Sequence, residues 1–232
     1  MEKLCTTTSR SSGTDWSRKL GAQAVALGAL RGVQDTRVPM AFALFGYWVP
    51  GLLTCLLLGF ATPLGEIPLD RAAIDALSDL PQIVVSDAAH AQEHSLEVQL
   101  PFLQSVLGNF TLLPLAVGDA TPAEVAQVLD ALWGGDETLI VISSDLSHFL
   151  PYATAQRVDL DTLQIIKKKK TTLNHQQACG ATPVNGLLLA AQRHHLQPTL
   201  LGLCNSGDTA GDKGRVVGYA ALVLTPGENH AH

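Results

Sequence analysis

The sequence predicts a single α/β domain, and three observations carry that reading. From Thr62 onward, short β-branched runs alternate with helical stretches. Thr138 to Ser143 (TLIVIS) is nearly all apolar over the length of one strand, the pattern of a central strand covered on both faces. No internal repeat breaks the alternation, and 232 residues suffice to bury a full core.

Gln82 to Ser86 (QIVVS) has strand composition, and Leu96 to Leu107 has helical periodicity interrupted early by Pro101. Phe110 to Val117 (FTLLPLAV) is the next strand, with Pro114 suggesting a sheet edge or a bulge. The clearest helix start follows: Thr121 caps, Pro122 suits the first helical position, and Glu124 stands where a capping-box acid reaches back. That helix is expected to run to about Trp133, where Gly134 and Gly135 stop it. Thr138 to Ser143 is then the middle of the sheet. Helices over Thr154 to about Lys170 and about Pro183 to His194 come next, with strands at Thr199 to Cys204 and Val216 to Leu224. The four lysines Lys167 to Lys170 suit a solvated helix end, where cations meet the negative pole of the helix dipole.

Charge and cysteine usage narrow the function classes. With 21 acidic against 15 basic residues, no face tracks a phosphate backbone, so nucleic acid is not an expected partner. Cys5, Cys55, Cys179 and Cys204 are widely spaced with no CxxC pair, which suggests neither a zinc knuckle nor a disulfide framework and fits a reducing cytoplasm. Val38 to Ala61 is uncharged and long enough to cross a bilayer, but Pro39, Pro50 and its glycines argue against a membrane span. A membrane tether over Val38 to Phe60 is the lowest-ranked reading.

Three segments carry side chains suited to chemistry. Ser143-Ser144-Asp145-Leu146-Ser147-His148 follows the expected central strand, and open α/β sheets collect ligands at the carboxyl ends of strands. His148 can act as a base or a metal ligand, oriented by Asp145 or a serine hydroxyl. The same spacing also fits a capped loop with a surface histidine. Gln177 to Ala181 (QACGA) puts Cys179 at a helix start, where the dipole favours the metal-binding thiolate, although a lone cysteine is more often a small core residue. Glu93 to Phe102 runs a polar head, Glu93 and His94, into an apolar helical face, as any capped amphipathic helix does.

Taken together, the phrases EHSLEVQLPFL (93–103), SSDLSHF (143–149), QACGATPVNGLL (177–188) and NSGDTAGDKGRVVGYAA (205–221) resemble the Memo family, the middle component of the AmmeMemoRadiSam group. The resemblance covers most of the chain after Phe60. It implies a three-layer α/β fold, a central mixed sheet flanked by helices, like that of the class III extradiol dioxygenases. It further implies a buried pocket that holds non-haem iron or copper. By that resemblance Cys179 is a metal ligand, His148 is a ligand or acid/base group with Asp145 beside it, and His94, Glu93 and Ser144 line the pocket.

The chain departs from the family in its first part. The family's other two metal histidines stand in phrases like PHAGY and GPSHH. Neither phrase is present, and the first histidine of this chain is His90. A cysteine and a histidine alone make a poor iron or copper site. Lys19 to Thr36 still resembles the helix after the family's first motif, so the stretches before about Lys19 and from about Arg37 to Gly59 read as text in a shifted frame relative to an ancestral gene. The expected organisation is therefore an atypical segment over 1–59, a Memo-like domain over 60–226 and a tail over 227–232. The expected function is a metal-dependent, redox-type pocket impaired by its missing ligands. The alternative is a non-enzymatic module that binds a protein, peptide or small ligand. The residues name no substrate, partner or oligomeric state.

Overall fold

The structure, a computed structural model, describes residues 2–9, 59–91, 94–209 and 211–227, with only the backbone of 2–9 and of Ala91. The chain order is β1 (Glu2–Ser9), β2 (Phe60–Thr62), β3 (Gly65–Ile67), α1 (Arg71–Leu77), α2 (Asp87–Ala91), α3 (Leu100–Leu107), β4 (Phe110–Val117) and α4 (Pro122–Ala131). After these come β5 (Thr138–Ser143), β6 (His148–Leu150), α5 (Tyr152–Lys167), α6 (Ala181–Arg193), β7 (Leu196–Asn205), a 3-10 turn at Ser206–Asp208, and β8 (Val216–Pro226). This is the mixed α/β architecture that the alternating pattern predicts.

Among the described residues the strands form three sheets: β4-β1-β5, the β2-β3 hairpin, and β6-β8-β7. β1 runs antiparallel to both neighbours, with Ser9 opposite Phe110 and Thr8 opposite Thr138. β4 and β5 therefore run parallel, one strand apart, and their carboxyl ends open on the same side. Thr138 to Ser143 is expected in the middle of the sheet, but among the described residues β1 holds the middle place and β5 lies beside it. An apolar run of strand length does not distinguish those two positions, because helices cover a flanking strand on both faces as well.

α4 begins as its residues dictate. The Thr121 hydroxyl accepts from the Glu124 amide at 3.2 Å while the Glu124 carboxylate accepts from the Thr121 amide at 2.7 Å. Val125, Ala126 and Leu129 then face Ala190 of α6 beneath the sheet residues Ile140 and Ile142. α6 lies so close that a side chain on Gly186 would put its Cβ 2.3 Å from Val125 Cγ1. A second cluster packs Leu96, Leu100, Leu103 and Leu107 against Phe110 and Leu112.

Two local expectations are revised. Gln82 to Ser86 is not a strand: Ile83 closes a turn onto Leu80 O at 3.0 Å, and Val84 and Val85 are 83% and 84% exposed. β-branched composition makes a strand only where a sheet edge is within reach, and here the Gln82 side chain ties the segment to Gln127 of α4 instead. The helix expected from Leu96 starts at Leu100, with Pro101 in its first turn, where the missing N–H costs nothing. The lysine block ends α5 as expected, but Lys169 is half-buried and its Nζ donates to Leu196 O at 2.8 Å.

Most of Val38 to Ala61, and the segments read as frame-shifted, lie outside the described residues, apart from Gly59, the first strand residues Phe60 and Ala61, and the β1 backbone. Among the described residues no helix is long and apolar enough to cross a membrane.

Candidate functional site

The site is built where β5 ends. Ser143 closes the strand, residues 144–147 turn, and His148 opens β6 against β8. The segment before α6 docks onto this turn. The Asp145 amide donates to Cys179 Sγ at 3.1 Å, the Asp145 carbonyl accepts from the Cys179 amide at 3.3 Å, and the Gly180 amide donates to Ser144 Oγ at 2.9 Å. Gly180 permits this approach, since a Cβ there would stand 2.6 Å from the Ser144 Cβ.

The outcome is that Asp145, His148 and Cys179 present a carboxylate oxygen, an imidazole nitrogen and a sulfur that all lie within 4.8 Å of one another. Asp145 Oδ2 is 3.6 Å from His148 Nε2, and both side chains are about one-third exposed. Two ligands held at about 2.0–2.3 Å from one ion stand no more than about 4.6 Å apart, so small side-chain rotations close the group around a metal. The donor chemistry of oxygen, nitrogen and sulfur suits a transition ion rather than a hard cation such as magnesium or calcium. Ser144 Oγ, 3.8 Å from the sulfur, donates to Asp145 O at 2.7 Å, and so stiffens the turn.

Phe149, next to His148, has a φ of 57°. A non-glycine residue held there costs about 1–2 kcal/mol, and such strain gathers at functional sites. Its ring is 61% exposed, sits edge-on to the His148 ring with centroids 5.8 Å apart, and carries the Arg215 guanidinium 4.8 Å above its centre.

Of the residues expected from sequence, Asp145, His148, Cys179 and Ser144 are brought together. His94 is not among them: its side chain is 75% exposed and its Nδ1 pairs with Glu97 at 2.7 Å. Glu93 lies outside the described residues. A cleft of about 480 Å³ between the 82–90 segment, β4 and α4 is lined by apolar groups such as Ile83, Leu115 and Val128, with His90 and Asp119 among its polar groups. None of the three candidate donors lines it.

Sequence reasoning passed over several supporting residues. His175 Nδ1 lies 3.3 Å from Cys179 O, and the Gln99 amide donates to Ser143 Oγ at 3.2 Å. His175 stands four residues before Cys179, a spacing that was available as a signal. Asp159, buried in α5, accepts from the Ser147 amide at 3.0 Å, and nothing in its helical context marks it. Burial pushes its carboxyl above the ordinary range, while the Ser147 amide and the nearby His148 pull it back.

Comparison with known proteins identifies the family. The family profile described as "Memo-like protein" matches residues 51–223. A "MEMO1 family protein" of Aeropyrum pernix is 37% identical over 175 residues, 69% of this chain and 62% of that protein. Those of Metallosphaera sedula (32% over 178 residues, 69% and 62%) and Methanosarcina mazei (35% over 178 residues, 70% and 66%) are similar to it in the same way. The chain thus spans 62–66% of the length of these curated relatives. A profile match across most of the chain, covering the turn that carries Asp145 and His148 and the segment that carries Cys179, shows that the chain belongs to the Memo family.

Proposed function

We propose that Asp145, His148 and Cys179 form a metal centre for iron or copper, and that this centre is weakened relative to family members by the absence of N-terminal histidine donors. The observation that carries this reading is the convergence of three chemically distinct donors within 4.8 Å. Cys179 supplies a soft sulfur, which favours copper(I) or iron, and the Asp145 amide that donates to it is a contact a thiolate accepts. His148 Nε2 either binds the ion or holds a proton toward Asp145 Oδ2. When bound, the ion would supply redox or Lewis-acid chemistry, of the kind associated with the dioxygenase-like fold that the family resemblance implies. The residues before position 90 contribute no histidine, and among the described residues the donor set is these three.

The test is metal loading of the full chain with ferrous iron and, separately, copper(I), each beside Cys179→Ala. The expected result is up to one ion per chain, partly lost on gel filtration, with affinity at least ten-fold lower in the variant. Metal content equal in the two proteins would overturn the proposal. The second reading, binding of a small ligand or peptide without chemistry, is favoured by the apolar cleft of about 480 Å³, which falls in the size range of ordinary ligand sites.

A further inference from the structure

The turn that carries Asp145 and His148 is fixed from behind by two elements, α5, which follows it, and β8, about seventy residues on. The Leu146 amide donates to Gly218 O at 2.9 Å, and the Gly218 amide donates to Ser147 O at 2.9 Å, so β8 grips the turn from one side. From the other side Asp159 of α5, only 2% exposed, accepts the Ser147 amide on Oδ1 at 3.0 Å. Gly218 makes room for that carboxyl, because a Cβ at 218 would stand 2.0 Å from Asp159 Oδ2 and 2.6 Å from Asp159 Cγ. Ser147 is itself fully buried and sits between the two side chains that face the candidate ion, so any displacement of its amide swings Asp145 and His148 apart.

We infer that Asp159 is a positioning residue for the metal centre, acting through its hydrogen bond to the Ser147 amide, and that Gly218 is required beside it. This rests on the metal-site reading given above, which it deepens. What Asp159 supplies is an acceptor at one point, so the inference separates it from a residue that acts through charge. Asparagine keeps an acceptor at Oδ1 and fills the same volume, whereas alanine removes the acceptor and leaves the Ser147 amide buried and unmet.

Cobalt(II) titration of the full chain reads the centre through the thiolate-to-cobalt absorption band of Cys179. Asp159→Asn is expected to keep the affinity within three-fold and leave the band in place. Asp159→Ala and Gly218→Ala are each expected to lose at least ten-fold in affinity and to shift or broaden the band. A metal-free readout runs beside it: the rate at which a disulfide reagent modifies Cys179, taken against the matching Cys179→Ala proteins. That rate should change in the alanine variants and hold in Asp159→Asn, because the Asp145 amide that contacts Cys179 Sγ moves with the turn. Wild-type behaviour of Asp159→Ala in both readouts would overturn the inference, as would an equal loss in Asp159→Asn. If the wild-type chain gives no sulfur-to-cobalt band, the metal reading fails on that arm alone, and the thiol rates still decide whether Asp159 sets the turn.

Discussion

Gly186→Ala sets helix propensity against packing, and the distances decide the winner. In an open helix the change would gain about 1 kcal/mol, since glycine is the costlier residue. Here the new Cβ would stand 2.3 Å from Val125 Cγ1 and 2.4 Å from Val125 Cβ, whereas carbon atoms in contact prefer about 3.5–4.0 Å. A rotamer change moves Cγ1 but not Cβ, so relief requires α4 and α6 to separate by more than an ångström across the Val125, Ala126 and Ala190 contact. Overpacking of this kind costs about 1–3 kcal/mol, and the immobile Cβ puts the cost at the upper end. The net expectation is a loss of about 2 kcal/mol, or roughly 4–8 °C in Tm for a chain of this size. Urea unfolding followed by circular dichroism should show a lower midpoint at an unchanged slope. Adding Val125→Ala should restore only part of the loss, because the offending Cβ remains. A variant as stable as the parent would refute the close approach of the two helices.

Two further outcomes follow from the site and the capping box. His94→Ala should leave ferrous iron or copper(I) affinity within two-fold of the parent, since His94 is exposed and engaged with Glu97; a ten-fold loss measured by the same titration would place it in the centre after all. The Thr121 amide and hydroxyl hold the Glu124 carboxyl below its ordinary value of 4.5. A depressed folded-state pKa means that this stabilisation is present above about pH 4.5 and is lost as the pH falls through the lower folded value. Glu124→Gln should therefore be less stable than the parent at neutral pH, with the gap closing on acidification, and a gap that stays constant with pH would count against the capping-box ion.

Local chemistry was legible where it is self-contained. The capping box at Thr121 and Glu124 and the bounds of β4 are set by residues within one turn or one strand, and both could be read directly. Gln82 to Ser86 failed because strand formation depends on a neighbour that its own residues cannot announce. The apolar run of β5 predicts a middle strand, and nothing in those six residues announces that β1, from the other end of the chain, pairs between it and β4. Asp145, His148 and Cys179 stood out through their motifs, but their convergence depends on the contact of Gly180 with Ser144, which joins segments more than thirty residues apart. Asp159 and Gly218 gave no local sign, because what matters at each is the atom it faces across the fold.

The place of β1 has a consequence for the order of events during folding. Among the described residues the pairing that joins β4 to β5 passes through Glu2–Ser9, so the sheet over these strands is complete only once β1 lies between them. Ser9 must find Phe110, and at about 5–20 residues per second the ribosome makes the intervening chain in on the order of 10 s. Throughout that interval neither β4 nor β5 is there to pair with β1. The entropy of closing so long a loop grows only slowly with its length, but the rate of closure falls as contacts become more distant. The turn after β5 is thus among the last parts of the protein to acquire its support, because β8, which holds Leu146 and Ser147 through Gly218, is made later still.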